Sequence, residues 1–327
     1  MDKQHRIVVV TPAGRKKYLQ ILSNYILKDT HIDEWHLWDN CRNEKDRIYI
    51  HDLAKNYPSK IKVISENNTD GTNASINRFF KHTRDENTFY IRIDDDVVFL
   101  PPNFAYSMYK QALDEQEQYT FWAPVIINNA VCSYFLKLYG VINTNVPITL
   151  QAICPMAWGN PIFAEKMHNL FLENYPSWQI FQLSENINIP PARFSVNVIA
   201  FWGKLSKQMG DAFCPLGVDE EDYLTAHLPF LTQKTGRLVG NVVVAHFSFF
   251  TQEKYLLRKT NILQKYAQIA GIQDYELENN TNLMKEIKVN FKQALKVIMN
   301  QVFYYYSQKQ KNINIAVKKD KSVNVYV

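Results

Sequence analysis

Apolar runs alternate with polar, helix-periodic stretches through the first hundred positions. Ile7-Val8-Val9-Val10 is continuous and β-branched, which predicts a strand buried on both faces. Thr11-Pro12-Ala13-Gly14 then predicts a loop, and residues 15–28 carry Leu19, Leu22 and Ile26 at helical spacing. Glu34-Trp35-His36-Leu37-Trp38 predicts a second strand closing at Asp39-Asn40. A polar helix follows around residues 45–56, and Ile61-Lys62-Val63-Ile64 predicts a third strand. Residues 73–82 predict a helix, and Tyr90-Ile91-Arg92-Ile93 a fourth strand that runs into Asp94-Asp95-Asp96 before Val97-Val98-Phe99-Leu100. This alternation predicts an α/β fold with a mostly parallel, doubly wound sheet, whose ligands bind beyond the carboxyl ends of the strands. Thr11, Asp39 and the acidic triplet all fall at such ends.

The pattern changes in the second half. Gly217-Val218-Asp219-Glu220-Glu221-Asp222-Tyr223-Leu224 is a carboxylate run leading into an expected helix over residues 222–227. Asn241-Val242-Val243-Val244-Ala245-His246-Phe247-Ser248-Phe249-Phe250 is strongly β-prone with one histidine inside it. Residues 254–271 and 283–306 then predict two amphipathic helices, the second with Leu283, Ile287, Phe291, Leu295, Ile298 and Val302 on one side. A basic, aromatic end follows, with Tyr304-Tyr305-Tyr306 and Lys309, Lys311, Lys318, Lys319 and Lys321. Such an end fits contact with an anionic membrane, self-association or plain solvation. The divisions expected are residues 1–115, residues 116–252 and a helical extension over 253–327.

Composition narrows the class. With 327 residues and 46% hydrophobic content the chain can bury a full core, and 37 basic against 32 acidic residues, interleaved, do not argue for nucleic-acid binding. Cys41, Cys132, Cys154 and Cys214 are far apart and show neither zinc-ligand nor disulfide spacing. A cytoplasmic protein is expected, membrane-peripheral at most, because no apolar run reaches spanning length. The sequons at Asn67, Asn73 and Asn279 then carry no weight.

Three adjacent carboxylates at a buried strand end repel one another unless a positive charge sits there. Hard oxygen ligands suit Mg²⁺ or Mn²⁺ bound to a phosphorylated ligand, and the imidazole of His246 is a further ligand for Mn²⁺. An acidic turn closing an ordinary strand is the alternative, and a hydrogen-bonded core histidine is the alternative for His246.

Taken together, the Thr-Pro loop after the first strand, Asp39 closing the second, Gly71-Thr72-Asn73-Ala74-Ser75-Ile76-Asn77-Arg78 before a helix, and Ile93-Asp94-Asp95-Asp96 resemble the nucleotide-binding half of a GT-A fold glycosyltransferase of family 2. The resemblance covers roughly residues 6–115, and more thinly 195–250. It implies a GT-A (Rossmann-like) central sheet flanked by helices. It also implies a DxD element that anchors a nucleotide-sugar, with UDP favoured, through Mn²⁺ or Mg²⁺. Carried over, Asp96 is the metal ligand, Asp94 touches the ribose or the metal, and Asp95 assists. Asp39 accepts from the base, Thr11 and Pro12 line the nucleoside pocket, and Asn77 and Arg78 match the family's Asn/Arg pair. His246 matches the histidine that some GT-A enzymes place after their last core strand. Asp39 could instead cap the following helix, Thr11-Pro12 form a plain turn, and Arg78 be surface charge.

The run at residues 219–222 resembles the family's Glu-Asp element. An inverting transferase needs one carboxylate to take the acceptor hydroxyl proton. Asp222 is the expected base, with Glu221 and Asp219 as alternatives, against the simpler role of acids complementing a helix dipole. Trp158, Trp178 and Trp202 are candidates for an acceptor platform, though tryptophan is mostly buried in any protein.

Two other classes compete. Asp94-x-Asp96-x-Val98 also fits the DxDx(T/V) pattern of haloacid-dehalogenase-type phosphotransferases, but three strand units precede it here and no downstream Lys plus Asp-Asp set follows. A sugar-nucleotide pyrophosphorylase would share the sheet, but its Gly-rich, Arg-containing phosphate loop is not found after the first strand. A nucleotide-sugar-binding module without turnover would not need the second acidic run.

Overall fold

The structure, a computed structural model, describes residues 4–273 and 275. It is an α/β arrangement around one nine-stranded sheet. Strands β1 (Arg6–Ala13), β2 (Glu34–Asp39), β3 (Ile61–Ile64) and β4 (Thr88–Ile93) come from the first hundred residues. They pair in parallel in the order β3-β2-β1-β4, with helices α1 (Lys16–Lys28) and α2 (Glu44–Asn56) as crossovers. α2 starts where the Asn43 side chain accepts from the Asp46 amide, so the cap after β2 belongs to Asn43 and not to Asp39.

β1 is longer than expected. It runs through Thr11 and Pro12 to Ala13, which the sequence placed in a loop. Its ladder with β4 stops at Val10, so Pro12, which has no N–H, sits past the last bond on that side.

The second half reverses direction. β5 (Val97–Phe99), β6 (Tyr119–Ile127), β7 (Ile187–Ile189), β8 (Val198–Trp202) and β9 (Thr235–His246) complete the order β3-β2-β1-β4-β8-β6-β9-β5, with β7 also on β9. Among the described residues β6 and β9 pair in parallel, while the pairs β4 with β8, β6 with β8, β5 with β9 and β7 with β9 are antiparallel. The expectation of a mostly parallel sheet therefore holds for the first four strands, and the whole sheet is mixed. An isolated antiparallel strand such as β8 shows the same buried β-branched and aromatic run as a parallel one when both its faces are covered.

β9 carries a bulge. Val239 faces Pro124 and Val243 faces Val125, leaving Gly240, Asn241 and Val242 looped out opposite a proline. Gly240 is required there, since a Cβ would lie 2.2 Å from the Glu185 carbonyl oxygen. The bulge bends β9 so that its far end, at His246, pairs with Val97 directly after the acidic triplet.

Two helices differ from expectation. The stretch over residues 222–227 is a wide π-helical turn, Tyr223–His227, because Pro229 has no N–H to bond the Thr225 carbonyl and the Thr225 hydroxyl donates to the Glu221 carbonyl instead. The helix expected over 254–271 is two, Phe250–Lys259 and Ile262–Ile269, broken at Thr260 and Asn261. Both belong to the same compact unit as the sheet, which ends at residue 277. The helix expected over 283–306 and the basic end lie outside the described residues. No described helix is long and apolar enough to cross a membrane. All four cysteines are free and buried.

Candidate functional site

Asp94, Asp95 and Asp96 form the turn between β4 and β5. The Asp94 amide donates to the Asn197 carbonyl, and the Phe247 amide donates to the Asp96 carbonyl at 2.9 Å, so β8 and the end of β9 hold the turn from both sides. Each carboxylate meets a different environment. Asp94 accepts from Arg92 through Oδ1 and from Asn197 Nδ2 at 3.2 Å through Oδ2. Asp95 accepts from the Gly14 amide at 3.1 Å and from Arg15 Nε at 3.0 Å, with Arg15 Nη2 closer still. Asp96 Oδ2 lies 3.1 Å from Arg15 Nη2.

One side of the turn is left unsatisfied. His246 Nε2 lies 3.4 Å from Asp96 Oδ1, a contact without hydrogen-bond geometry, and both Asp96 Oδ1 and His246 Nδ1 are buried with no hydrogen-bond partner. Buried polar atoms are normally paired, so Asp96 and His246 both keep unused ligand capacity. Asp94, Asp96 and His246 each offer a ligand atom, all within 4.8 Å of one another. Two carboxylates and an imidazole suit Mn²⁺ and, less well, Mg²⁺. Asp94 can join them because each of its bonded oxygens keeps a second lone pair. Burial alone would raise Asp96, but Arg15 and His246 hold its carboxyl well below the usual range. Burial pushes Asp95 up to about 6 against the pull of Arg15.

A network of amides fixes the turn and the loop after His246. Asn129, at the end of β6, donates to Asn197 Oδ1 at 3.1 Å, and Asn197 donates to Asp94. Its neighbour Asn128 donates to the Phe247 carbonyl and to Gln252 Oε1, both at 2.9 Å. His168 donates to the same Phe247 carbonyl through Nε2 and accepts from the Tyr266 hydroxyl through Nδ1. The two residues closing β6 therefore hold both the turn after β4 and the loop after His246.

The acidic run at residues 219–222 resolves into separate tasks. Asp219 caps the following helical turn, accepting from the Asp222 amide at 2.9 Å, and pairs with Arg193. Glu220 is buried and takes Arg92 through both oxygens, at 2.9 and 3.1 Å. Arg92 thus ties the second acidic run to Asp94. Glu221 accepts from Arg193 Nε at 2.6 Å. Burial raises its carboxyl above the usual range, Arg193 opposes this, and the charges of Asp219 and Asp94 add to it. Asp222 alone in the run has no arginine, facing His227 at 3.1 Å on the open side. Arg92 and Glu220 were not read as site residues from the sequence. The available signal was an arginine inside an otherwise apolar strand, which needs a buried counter-ion.

The remaining expected residues fall as follows. Asp39 ends β2 and is held by Arg47 at 3.0 Å and by the Cys41 amide. Thr11 is buried with its hydroxyl accepting from the Trp35 indole at 3.0 Å, so it faces the core, with Pro12 buried beside it in β1. Asn77 donates to the carbonyls of Pro215 and Val218, bracing the loop before the acidic run. Arg78 follows it, half-buried, with Nε unpartnered. Trp202 is a core residue packed on Phe89 and Tyr109, which removes it as an acceptor platform. Trp158 packs on Phe249, which in turn packs on His246. An arginine-containing turn does follow the first strand, since Gly14 and Arg15 sit directly after β1 against the triplet.

No protein-family model and no curated protein matches the chain. Solved structures similar to it include 4-diphosphocytidyl-2C-methyl-D-erythritol synthase from Anaerococcus prevotii, at 13% identity over 81% of this chain and 96% of that one, with TM-score 0.42. GalNAc-T7, solved with UDP, GalNAc and Mn²⁺, is 11% identical over 89% of this chain and 55% of its own, with TM-score 0.49. TarS of S. aureus is 12% identical over 84% of this chain and 40% of its own, with TM-score 0.44. The chain spans about half or less of the length of the last two, and no residue assignment is carried over from any of the three.

Proposed function

We propose that this protein is a metal-dependent, inverting glycosyltransferase that moves a sugar from a nucleotide-sugar, a UDP-sugar by preference, to a hydroxyl of a glycan or similar acceptor. The observation that carries the reading is the cluster of Asp94, Asp96 and His246, whose ligand atoms lie within 4.8 Å of one another, at a strand-end turn that a buried arginine links to a second set of carboxylates. Mn²⁺ or Mg²⁺ held by Asp94, Asp96 and His246 would supply charge neutralisation for a leaving diphosphate. Asp39 and Arg78 are the proposed nucleotide side of the crevice, with Thr11 and Pro12, which are buried in β1, and Asn77, which braces the loop before the acidic run, supporting it from behind. Domain assignment follows the same division, with residues 1–115 for the donor and 116–252 for the acceptor.

Glu221 is the proposed base. Glu220 and Glu221 are both raised by burial and by the charge of Asp94, but Arg92 takes both oxygens of Glu220, whereas Glu221 gives one oxygen to Arg193 and is the more exposed of the two. A base works best when its pKa approaches the operating pH. Asp222 is the second reading, favoured by its lack of an arginine partner. Glu221→Gln should cut turnover at least about a hundredfold while sparing donor binding, whereas Asp222→Asn should change it less than about tenfold. The reverse order of effects would transfer the role to Asp222.

A phosphotransferase using Asp94 as nucleophile fits poorly, because the acidic turn follows the fourth strand of the sheet and not the first. Nucleotidyl transfer is favoured by one feature, Arg15 after β1, but a phosphate acceptor is already ionised and needs no base. Thermal stabilisation by UDP-, GDP-, CMP- and dTDP-sugars and by nucleoside triphosphates, with and without Mn²⁺, separates these reactions. A Mn²⁺-dependent shift with a nucleotide-sugar supports the transferase, and a shift with a triphosphate alone overturns it.

A further inference from the structure

Arg15 occupies a position that sugar transfer does not by itself explain. It immediately precedes α1, its side chain is 32% exposed, and its guanidinium touches Asp95, lies 3.1 Å from Asp96 and is 3.9 Å from Glu253. The same guanidinium rests over the Tyr18 ring at 4.8 Å. It is therefore the resident cation of the acidic turn, set against the one carboxylate that also faces His246. A divalent ion on Asp96 places further positive charge beside it, and like charges this close repel. Arg15 has somewhere to go. Asp95 keeps the Gly14 amide as a donor, Glu253, though already bonded to Lys17 and Tyr18, lies 3.9 Å from the guanidinium, and a partly exposed side chain has room to turn. A guanidinium fork is also well matched to phosphate oxygens.

We propose that Arg15 is an exchangeable counter-cation, which neutralises Asp96 in the metal-free protein, releases it when a divalent ion arrives with a nucleoside diphosphate, and turns its guanidinium onto the diphosphate. This rests on the metal reading of Asp96 and His246. Metal alone must compete with Arg15, whereas metal with diphosphate gives Arg15 a new anion. Arg15 therefore couples the two affinities, and the coupling is reciprocal.

The test measures Mn²⁺ affinity from the paramagnetic resonance of the free ion, with and without UDP, in the wild type and in the variants Arg15→Met, Arg15→Lys and Asp96→Asn. Arg15→Met should bind Mn²⁺ alone about tenfold more tightly than wild type, and should lose at least about fivefold of the gain that UDP confers. Arg15→Lys, which keeps a charge on Asp95 and guards against misfolding, should bind Mn²⁺ alone within about twofold of wild type and lose part of the UDP gain, since a point charge lacks the fork. Unchanged or weaker Mn²⁺ binding in Arg15→Met, with tight binding lost only in Asp96→Asn, overturns the proposal and leaves the metal site standing. Full retention of the UDP gain in Arg15→Lys overturns the diphosphate role. Equal Mn²⁺ binding by wild type and Asp96→Asn overturns the metal reading, and the proposal with it.

Discussion

Residues 94–96 and residues 219–222 are both uninterrupted runs of carboxylates, but their charges are disposed of in opposite ways. In the second run three of four acids are committed within the fold, Asp219 to a cap and Arg193, Glu220 to both arms of Arg92, and Glu221 to Arg193. In the first run Asp94 is likewise held by the buried Arg92, but the cation beside Asp95 and Asp96 is the partly exposed Arg15, and Asp96 keeps one buried oxygen unpartnered. Two histidines on either side of Phe247 repeat the contrast. His168 has both ring nitrogens bonded, whereas His246 has one orphan and one loose contact. What favours the first run as the proposed metal site is not its number of acids but the ligand capacity left free beside His246, because a buried unpartnered group costs about 1–3 kcal/mol.

If the second run is chiefly structural, breaking its central pair should act on stability first. Arg92→Met strands Glu220 as a buried charge, takes one partner from the half-buried Asp94, and should cost about 3–5 kcal/mol in urea unfolding, while the double variant with Glu220→Leu should recover most of that loss. A single variant as stable as the wild type would contradict the assignment.

The histidine contrast gives a pH signature of nearly the same size. Burial lowers His168 from 6.5 to about 4. The unfolded chain therefore binds the proton first, and stability should fall by on the order of 3 kcal/mol as pH drops through that window. Above the window the contribution is complete. His168→Gln should flatten the slope in unfolding measured across those pH values, and an unaltered slope would place the titration elsewhere.

The hundredfold loss expected of Glu221→Gln is the next effect in size, at about 2.7 kcal/mol of barrier. Asn129→Ala should be smaller again. Removing the donor to Asn197 loosens Asp94 indirectly, and should weaken Mn²⁺ binding by about tenfold or somewhat more, the usual scale for a residue supporting a metal ligand. Unchanged Mn²⁺ affinity would show that Asn197 holds Asp94 unaided.

Much of the first half was legible in the sequence, because continuous β-branched runs such as Ile7 to Val10 and the Leu19, Leu22, Ile26 stripe leave few structural choices. The acidic turn and His246 were legible as residue types, and the bend in β9 that joins them was not, since it depends on Gly240, Asn241 and Val242 looping out between the partners of Pro124 and Val125. β8 escaped an orientation because burial on both faces looks alike for either direction. The pairings Arg92 with Glu220, Asn129 with Asn197 and Asn128 with Gln252 span 128, 68 and 124 positions, and only the folded sheet brings such partners together. Arg15 was hidden for a different reason, as a cation at a helix start looks like ordinary surface charge.

The central claim is that Asp94, Asp96 and His246 hold a divalent ion, and titration calorimetry of Mn²⁺ into wild type, Asp96→Asn and Glu220→Gln tests it most directly. One site per chain in the wild type, lost in Asp96→Asn and kept in a folded Glu220→Gln, is the predicted result. Mn²⁺ binding that survives Asp96→Asn, or that is absent from the wild type even with UDP present, would contradict it.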